Sequence, residues 1–235
     1  MKFSDEDIAY LRSKNNLTEG FLDYLKNFKF ECDIYAIPEG TPIFPNEPVI
    51  KVRGPIVQAQ LIETLVLNTI NYQTLVATKA NRVSRAASGK RVIEMGARRA
   101  QGFSGAIDGA RAAYIGGAVS TATVLAGELF DIPVSGTMAH SFVMFYGDEY
   151  TAFATYARTY PDSTVLLVDT YDVLKSGIPN AIRVAKEVLE PMGKRLKGIR
   201  IDSGDLAYQS IKVRKMLDDA GLQDCKIIVS NSLDE

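Results

Sequence analysis

The chain has 235 residues, of which 46% are hydrophobic and 23% are charged, so it is long and apolar enough to bury a sizeable core. Its 27 Lys and Arg nearly balance its 28 Asp and Glu, which argues against a nucleic-acid partner because dedicated nucleic-acid binders usually carry a basic excess. The two cysteines are too few for a disulfide scaffold and no apolar run is as long as a membrane span, so we expect a cytoplasmic location and no membrane partner.

The first 89 residues are predicted to form part of an N-terminal α/β domain and a connecting helix. Ser4 and Thr18 are suited to capping two helices before Phe30. A segment rich in proline follows, and its short extended pieces predict a small antiparallel β unit. The apolar spacing over Ile56–Ser88 then predicts one long helix. The extended pieces are Asp33–Ile37, Thr41–Phe44 and Pro48–Arg53.

Residues 90–235 show a different pattern, in which short β-rich runs alternate with amphipathic segments. The runs recur roughly every 30–40 residues, which is the size of a βα unit. This alternation predicts a parallel α/β sheet or barrel. Five strands would complete an open sheet, whereas they would leave a barrel incomplete. The five runs are Arg91–Met95, Ile132–Gly136, Thr164–Asp169, Gly198–Ile201 and Cys225–Ser230.

Polar residues gather at the point where each of the five predicted strands ends. Ligands of parallel α/β folds bind at the carboxyl ends of the strands, so these residues predict one site built from five loops. In chain order the loops begin with Glu94–Arg99, Gly136–Ser141, Asp169–Asp172, Arg200–Asp205 and Ser230–Ser232.

The residue types in these loops favour phosphate and ribose chemistry. Arg98 and Arg200 could bind phosphates or an anionic ring substituent through their planar forks. Asp202 shares a strand face with Arg200 and could bind ribose hydroxyls or a hydrated Mg²⁺. The single histidine, His140, becomes a base or a nucleophile if a carboxylate orients it.

Structural explanations remain open beside these functional ones. His140 would also suit a hydrogen-bonded core position. Arg200 and Asp202 would also suit a pair that only neutralises its own charge. Asp205 is suited to capping the helix that follows it.

At these positions the sequence resembles the nicotinate phosphoribosyltransferase family, of the ATP-assisted class related to nicotinamide phosphoribosyltransferase. GTMAHSF at 136–142 and RIDSGDL at 200–206 are specific in combination. The other matching stretches run through nearly the whole chain in family order, and they include YAIPEGTPIF, GARRAQG, TVLAGELFDIP and VLLVDTYD.

The resemblance implies an incomplete, irregular α/β barrel of the type II phosphoribosyltransferase kind, preceded by part of an N-terminal α/β domain. It implies transfer of phosphoribosyl from phosphoribosyl pyrophosphate to nicotinate, which gives nicotinate mononucleotide for NAD biosynthesis. ATP hydrolysis would be coupled to the transfer through a phosphohistidine, which places such enzymes among the ligases. Mg²⁺ and ATP are the implied cofactor and co-substrate.

The resemblance also implies a role for each matching residue. His140 would be the phosphorylated histidine, with Asp169 as the nearby acid. Asp202 would lie near the ribose and contact the metal weakly through water. The implied substrate-binding residues are Arg98, Thr137, Ser141, Arg200, Ser203 and Gly204.

The chain is much shorter than the members of this family, which bears on its partners. We expect a second chain to supply the rest of the barrel and the whole to form a homodimer with shared active sites. Three alternatives remain open at the level of sequence. They are a preference for nicotinamide, a non-catalytic fragment that serves as a scaffold or dimerisation partner, and an unrelated sugar-phosphate barrel enzyme.

Overall fold

The computed structural model describes residues 1–235 and divides into two compact units, residues 1–79 and residues 80–235. The division falls within a long helix. No helix in either unit is long and apolar enough to cross a lipid bilayer. The assignment of separate domains to residues 1–89 and 90–235 stays a prediction.

The first unit begins with two short helices whose N-caps confirm the sequence prediction. Ser4 and Asp7 form a capping box, in which each side chain accepts from the backbone N–H of the other residue. Thr18 caps the second helix by accepting from the N–H of Phe21. The helices are α1 (Asp5–Ser13) and α2 (Glu19–Lys26), and their buried residues are Ile8, Leu22 and Leu25.

A two-stranded antiparallel ladder follows, formed by β1 (Asp33–Ala36) and β2 (Ile50–Arg53). The expected third strand at Thr41–Phe44 is wrong, since this segment lies in the connection between the two strands. Pro42 lies inside the segment and Pro45 directly follows it, and neither residue has an N–H to donate to a ladder.

The predicted long helix is confirmed as α3 (Ile56–Ala86). It begins directly after Pro55 and ends before Ser88 and Gly89, whose φ angles of 48° and 82° lie in the left-handed region. A left-handed residue just beyond the last turn is a common way to end an α-helix.

The second unit contains parallel strands in two groups. In the first group, β3 (Ile93–Glu94) pairs with β4 (Ser120–Thr121), and Thr121 makes a single bridge to Val134. In the second group, β5 (Val165–Leu167), β6 (Gly198–Ile201) and β7 (Lys226–Val229) form a sheet in that order. The strands of the second group confirm the three later strand predictions.

The predicted strand at Ile132–Gly136 is reduced to a single parallel bridge, and β4, which was not predicted, pairs with both this segment and β3. Only Val134 bridges to the sheet in this segment, where Pro133 lacks an N–H. The ladder with β3 is formed by the short polar β4, whose Ser120 and Thr121 are buried.

The helices between these strands bury the apolar faces of the sheet. The core includes Leu166 and Ile199 from the sheet and Phe153 and Leu217 from the helices. The amphipathic segment between β5 and β6 includes α8, which continues through π and 3-10 turns to Met192. The helices are α4 (Gly102–Ile115), α5 (Val124–Phe130), α6 (His140–Tyr146), α7 (Glu149–Thr159), α8 (Ile178–Val184) and α9 (Leu206–Asp219).

Candidate functional site

A polar cluster lies at the carboxyl ends of β5, β6 and β7. Asp169 lies two residues beyond β5, Asp202 directly follows β6 and Ser230 directly follows β7. The parallel register pairs Leu167 with Arg200, so the same ends of the strands lie side by side. The backbone N–H of Ser230 donates to the carbonyl of Ile201 and extends this alignment beyond the last strand.

Asp169 is the centre of the cluster. Its side chain is only 1% exposed. Its Oδ1 lies 3.1 Å from Nε2 of His140, the first residue of α6. Its Oδ2 accepts from the hydroxyl of Ser203 at 2.6 Å and from the N–H of Asp202 at 3.1 Å. One buried carboxylate therefore links the histidine loop to the loop after β6.

The contact with Asp169 determines which nitrogen of His140 can react. An ionised carboxylate only accepts hydrogen bonds, so Nε2 carries the proton and donates it to Oδ1. The lone pair then lies on Nδ1. Because the His140 side chain is 37% exposed, Nδ1 is the nitrogen available to an electrophile from outside the cluster.

Each nitrogen of the Arg200 side chain has a partner in the cluster. Nε donates to Oγ of Ser230 at 2.9 Å, and Nη1 donates to Oγ1 of Thr137 at 2.8 Å. Nη2 lies 3.1 Å from Oδ1 of Asp202. A guanidinium has five N–H groups, so one N–H on each of Nη1 and Nη2 remains for a ligand. Guanidinium N–H groups suit a carboxylate or a phosphate.

Asp202 is ionised within this arrangement. Burial opposes its ionisation, but the hydrogen bond from Ser230 and the charge and hydrogen bond of Arg200 outweigh burial and lower the pKa of Asp202. Both contacts from Ser230 and Arg200 end on Oδ1. The second oxygen, Oδ2, is therefore the one left for a ligand.

The structure brings together six of the predicted site residues and leaves three outside the hydrogen-bonded cluster. Arg98 is exposed in the 3-10 turn Ala97–Arg99, and Ser141 is exposed in the first turn of α6. Gly204 contributes backbone only, and its φ of 76° would strain any residue with a Cβ there. The residues brought together are Thr137, His140, Asp169, Arg200, Asp202 and Ser203.

Ser230 completes the cluster although the sequence prediction did not assign it a role. Its position as the last residue of the fifth predicted strand was the available signal. Its hydroxyl contacts both Arg200 and Asp202. The neighbouring Ser232 hydroxyl lies outside the cluster, 3.4 Å from Asn231 Oδ1.

The charged side chains of the cluster do not by themselves form a metal-binding group. No group of three or more His, Cys, Asp or Glu side chains is arranged to coordinate an ion. Mg²⁺ is commonly bound by one or two carboxylates together with waters and substrate phosphates. Oδ2 of Asp202 fits that mode of binding, and the side chains of the cluster fit no closed metal cage.

Comparison with known proteins gives the same family at the level of sequence and of fold. Residues 1–71 match the model for the nicotinate phosphoribosyltransferase (NAPRTase) N-terminal domain. A nicotinate phosphoribosyltransferase of Bacillus subtilis (strain 168) is 53% identical over 236 residues, covering 100% of this chain and 47% of the relative. The chain thus spans about half the length of the curated relatives that it matches.

Two solved structures resemble the chain closely. Human nicotinic acid phosphoribosyltransferase matches with a TM-score of 0.89 at 34% identity, over 100% of this chain and 58% of that one. A nicotinate-nucleotide pyrophosphorylase from Pyrococcus furiosus matches with a TM-score of 0.76 at 31% identity, over 86% of this chain and 52% of that one. These likenesses confirm the predicted fold class, an incomplete α/β barrel preceded by part of an N-terminal α/β domain.

Proposed function

We propose, since the chain belongs to the nicotinate phosphoribosyltransferase family, that it forms part of an enzyme that transfers phosphoribosyl from phosphoribosyl pyrophosphate to nicotinate. The products are nicotinate mononucleotide, a precursor of NAD, and pyrophosphate. We further propose that ATP hydrolysis drives the transfer through phosphorylation of His140. The observation that carries this proposal is the buried Asp169, which joins the nucleophilic histidine to the loop of Arg200 and Asp202.

The transfer step needs charge complementarity at both ends of the breaking bond. The ring nitrogen of nicotinate attacks C1 of the ribose while the C1–O bond to pyrophosphate breaks. Positive charge develops on the ribose and negative charge on the leaving group. Ionised Asp202 suits the ribose hydroxyls and the developing positive charge. The two remaining N–H groups of Arg200 suit the phosphates or the nicotinate carboxylate.

The coupling step assigns separate roles to the two nitrogens of His140. Nδ1 attacks the γ-phosphorus of ATP, the bond to the bridging oxygen of ADP breaks, and a phosphoramidate forms on Nδ1. Asp169 stabilises the imidazole through the Nε2 proton, which stays in place during the attack. Water later hydrolyses the phosphoramidate and releases phosphate. The exergonic hydrolysis of ATP thereby favours nucleotide formation.

The remaining expectations enter as parts of the same proposal. Bound Mg²⁺ would neutralise charge on the substrate phosphates. Oδ2 of Asp202 would contact it through water, and Arg98 would bind phosphate from its exposed position. A second chain would supply the rest of the barrel, and the whole would form a homodimer. β5 and β7 lie at the two edges of their sheet, where outer backbone groups remain for pairing with added strands.

The test is an assay of the enzyme that contains this chain, with phosphoribosyl pyrophosphate and Mg²⁺, and with and without ATP. Nicotinate mononucleotide should form from nicotinate faster than nicotinamide mononucleotide forms from nicotinamide, and ATP should raise the yield. His140→Ala should abolish the ATP hydrolysis that accompanies transfer while leaving slow transfer without ATP. Absence of product from either base, in wild-type enzyme that is folded, would contradict the proposal.

A further inference from the structure

Ser230 connects the two charged residues of the site from a neighbouring strand. It follows β7, whereas Arg200 and Asp202 belong to β6 and its end. Its backbone N–H donates to the carbonyl of Ile201 at 3.0 Å, which fixes its position opposite the end of β6. Its hydroxyl then lies between the Arg200 guanidinium and the Asp202 carboxylate.

The hydrogen bonds of the Ser230 hydroxyl have only one possible direction. Arg200 Nε can only donate, so Ser230 Oγ accepts from it at 2.9 Å. Asp202 is ionised and can only accept, so the hydroxyl proton points to its Oδ1 at 2.6 Å. A side chain at position 230 must therefore accept and donate at the same time, which an alanine cannot do.

This bridge determines which atoms of the pair face a ligand. Ser230 and Arg200 both occupy Oδ1 of Asp202, so Oδ2 is left outward. The same bridge engages Nε of Arg200, while Thr137 engages Nη1. The guanidinium is thereby held through all three of its nitrogens, and one hydrogen on each of Nη1 and Nη2 remains for a ligand.

We propose that Ser230 is a positioning residue for phosphoribosyl transfer. Its hydroxyl aligns Oδ2 of Asp202 and the free edge of Arg200 toward the ribose and phosphates of phosphoribosyl pyrophosphate. The inference rests on the proposed function for the identity of that ligand. The bridge itself rests only on the geometry of the three side chains.

The test compares Ser230→Ala with Ser230→Thr in the enzyme that contains this chain. Ser232→Ala is the matched control, because it removes a hydroxyl from the same loop that does not reach the pair. Ser230→Ala should lower kcat/KM for phosphoribosyl pyrophosphate by about 10- to 100-fold, the effect of losing one hydrogen bond to a charged group. Ser230→Thr should restore most of the loss, and Ser232→Ala should match the wild type.

A second readout, the NMR titration of the Asp202 carboxyl carbon, separates this inference from the proposed function. The pKa of Asp202 should rise in Ser230→Ala, because a hydrogen bond that lowers it is lost, and should return in Ser230→Thr. An unchanged Asp202 pKa would overturn the inference, as would equal kinetic losses in the alanine and threonine variants. If the wild type transfers no phosphoribosyl to either base, the proposed function fails, while the titration still tests the bridge.

Discussion

The replacement of Asp169 by asparagine probes the role of the buried carboxylate with little change in shape. The amide oxygen can take the place of Oδ2 and keep the donors from Ser203 and Asp202. The amide NH₂ group then faces Nε2 of His140, which must become an acceptor. The imidazole proton moves to Nδ1, and the lone pair that would attack ATP is lost.

The structure sets the expected magnitude of this change. Three hydrogen bonds to the carboxylate lose their charge assistance, and each loses about 1 kcal/mol, the difference between charged and neutral hydrogen bonds. We therefore expect the free energy of unfolding to fall by about 3 kcal/mol. An aspartate-to-asparagine change that reverses the tautomer of a catalytic histidine lowers kcat by roughly 10⁴-fold. ATP hydrolysis should decrease on that scale.

The assay measures ATP hydrolysis coupled to nucleotide formation, with thermal unfolding followed by circular dichroism on the same samples. Asp172→Asn is the control in the same loop, because Asp172 is exposed and caps the following turn, a role that asparagine also fills. A folded Asp169→Asn enzyme that hydrolyses ATP as fast as the Asp172→Asn control would refute the assignment of the tautomer.

Three further predictions concern the rest of the chain. Arg200→Ala should weaken binding of phosphoribosyl pyrophosphate or nicotinate by about 2–5 kcal/mol, measured by calorimetry, since Asp202 loses a buried charge partner. Unchanged binding would mean that Arg200 and Asp202 only neutralise each other's charge and do not bind the substrate. Burial outweighs the hydrogen bonds from Ser176 and Asn180 and raises the pKa of Glu149 from its ordinary 4.5. The stability that the neutral carboxyl contributes is therefore fully present below pH 4.5 and is lost as the pH rises through the raised pKa of the folded state. The Tm of Glu149→Gln relative to wild type should therefore increase from acid to neutral pH, and a pH-independent difference would contradict this. The isolated polypeptide of 235 residues should self-associate in sedimentation experiments because β5 and β7 expose unpaired edges, and a monodisperse, fully active monomer would oppose the proposal of a second chain.

Local rules account for the elements that were predicted correctly. The capping side chains of Ser4 and Thr18 and the left-handed residues after α3 act within a few residues of chain. The apolar run before Asp169 likewise identifies a strand buried between helices. Such features depend on residues that are neighbours in the sequence, so the sequence is sufficient to predict these helix ends and strands.

The errors arise where pairing with distant residues decides the structure. Ser120 and Thr121 have no strong strand pattern, yet they pair with Ile93 and Glu94. The hydroxyl of Thr121 donates to the Glu94 carboxylate at 2.6 Å and supports that pairing. A polar dipeptide becomes a strand because a partner more than twenty residues away in the chain provides its hydrogen bonds.

The features of the site also fall into those that the sequence predicts and those that depend on distant parts of the chain. Position at the end of a strand was sufficient to nominate Asp169, Arg200 and Asp202, because the ends of parallel strands share one edge of the sheet. His140 was nominated as the single histidine of the chain, and the strand predicted before it is reduced to one bridge. The direction of each hydrogen bond was not predictable, since it depends on side-chain positions brought together by tertiary packing. The bridging role of Ser230 belongs to this second class.

Phosphorylation of His140 is the most direct test of the account. The enzyme that contains this chain would be incubated with ATP labelled in the γ-phosphate, and the labelled residue mapped by peptide analysis and ³¹P NMR. We expect an acid-labile phosphoramidate on Nδ1 of His140, absent from the Asp169→Asn enzyme. A stable phosphate on any other residue, or a phosphoramidate on Nε2, would contradict the account.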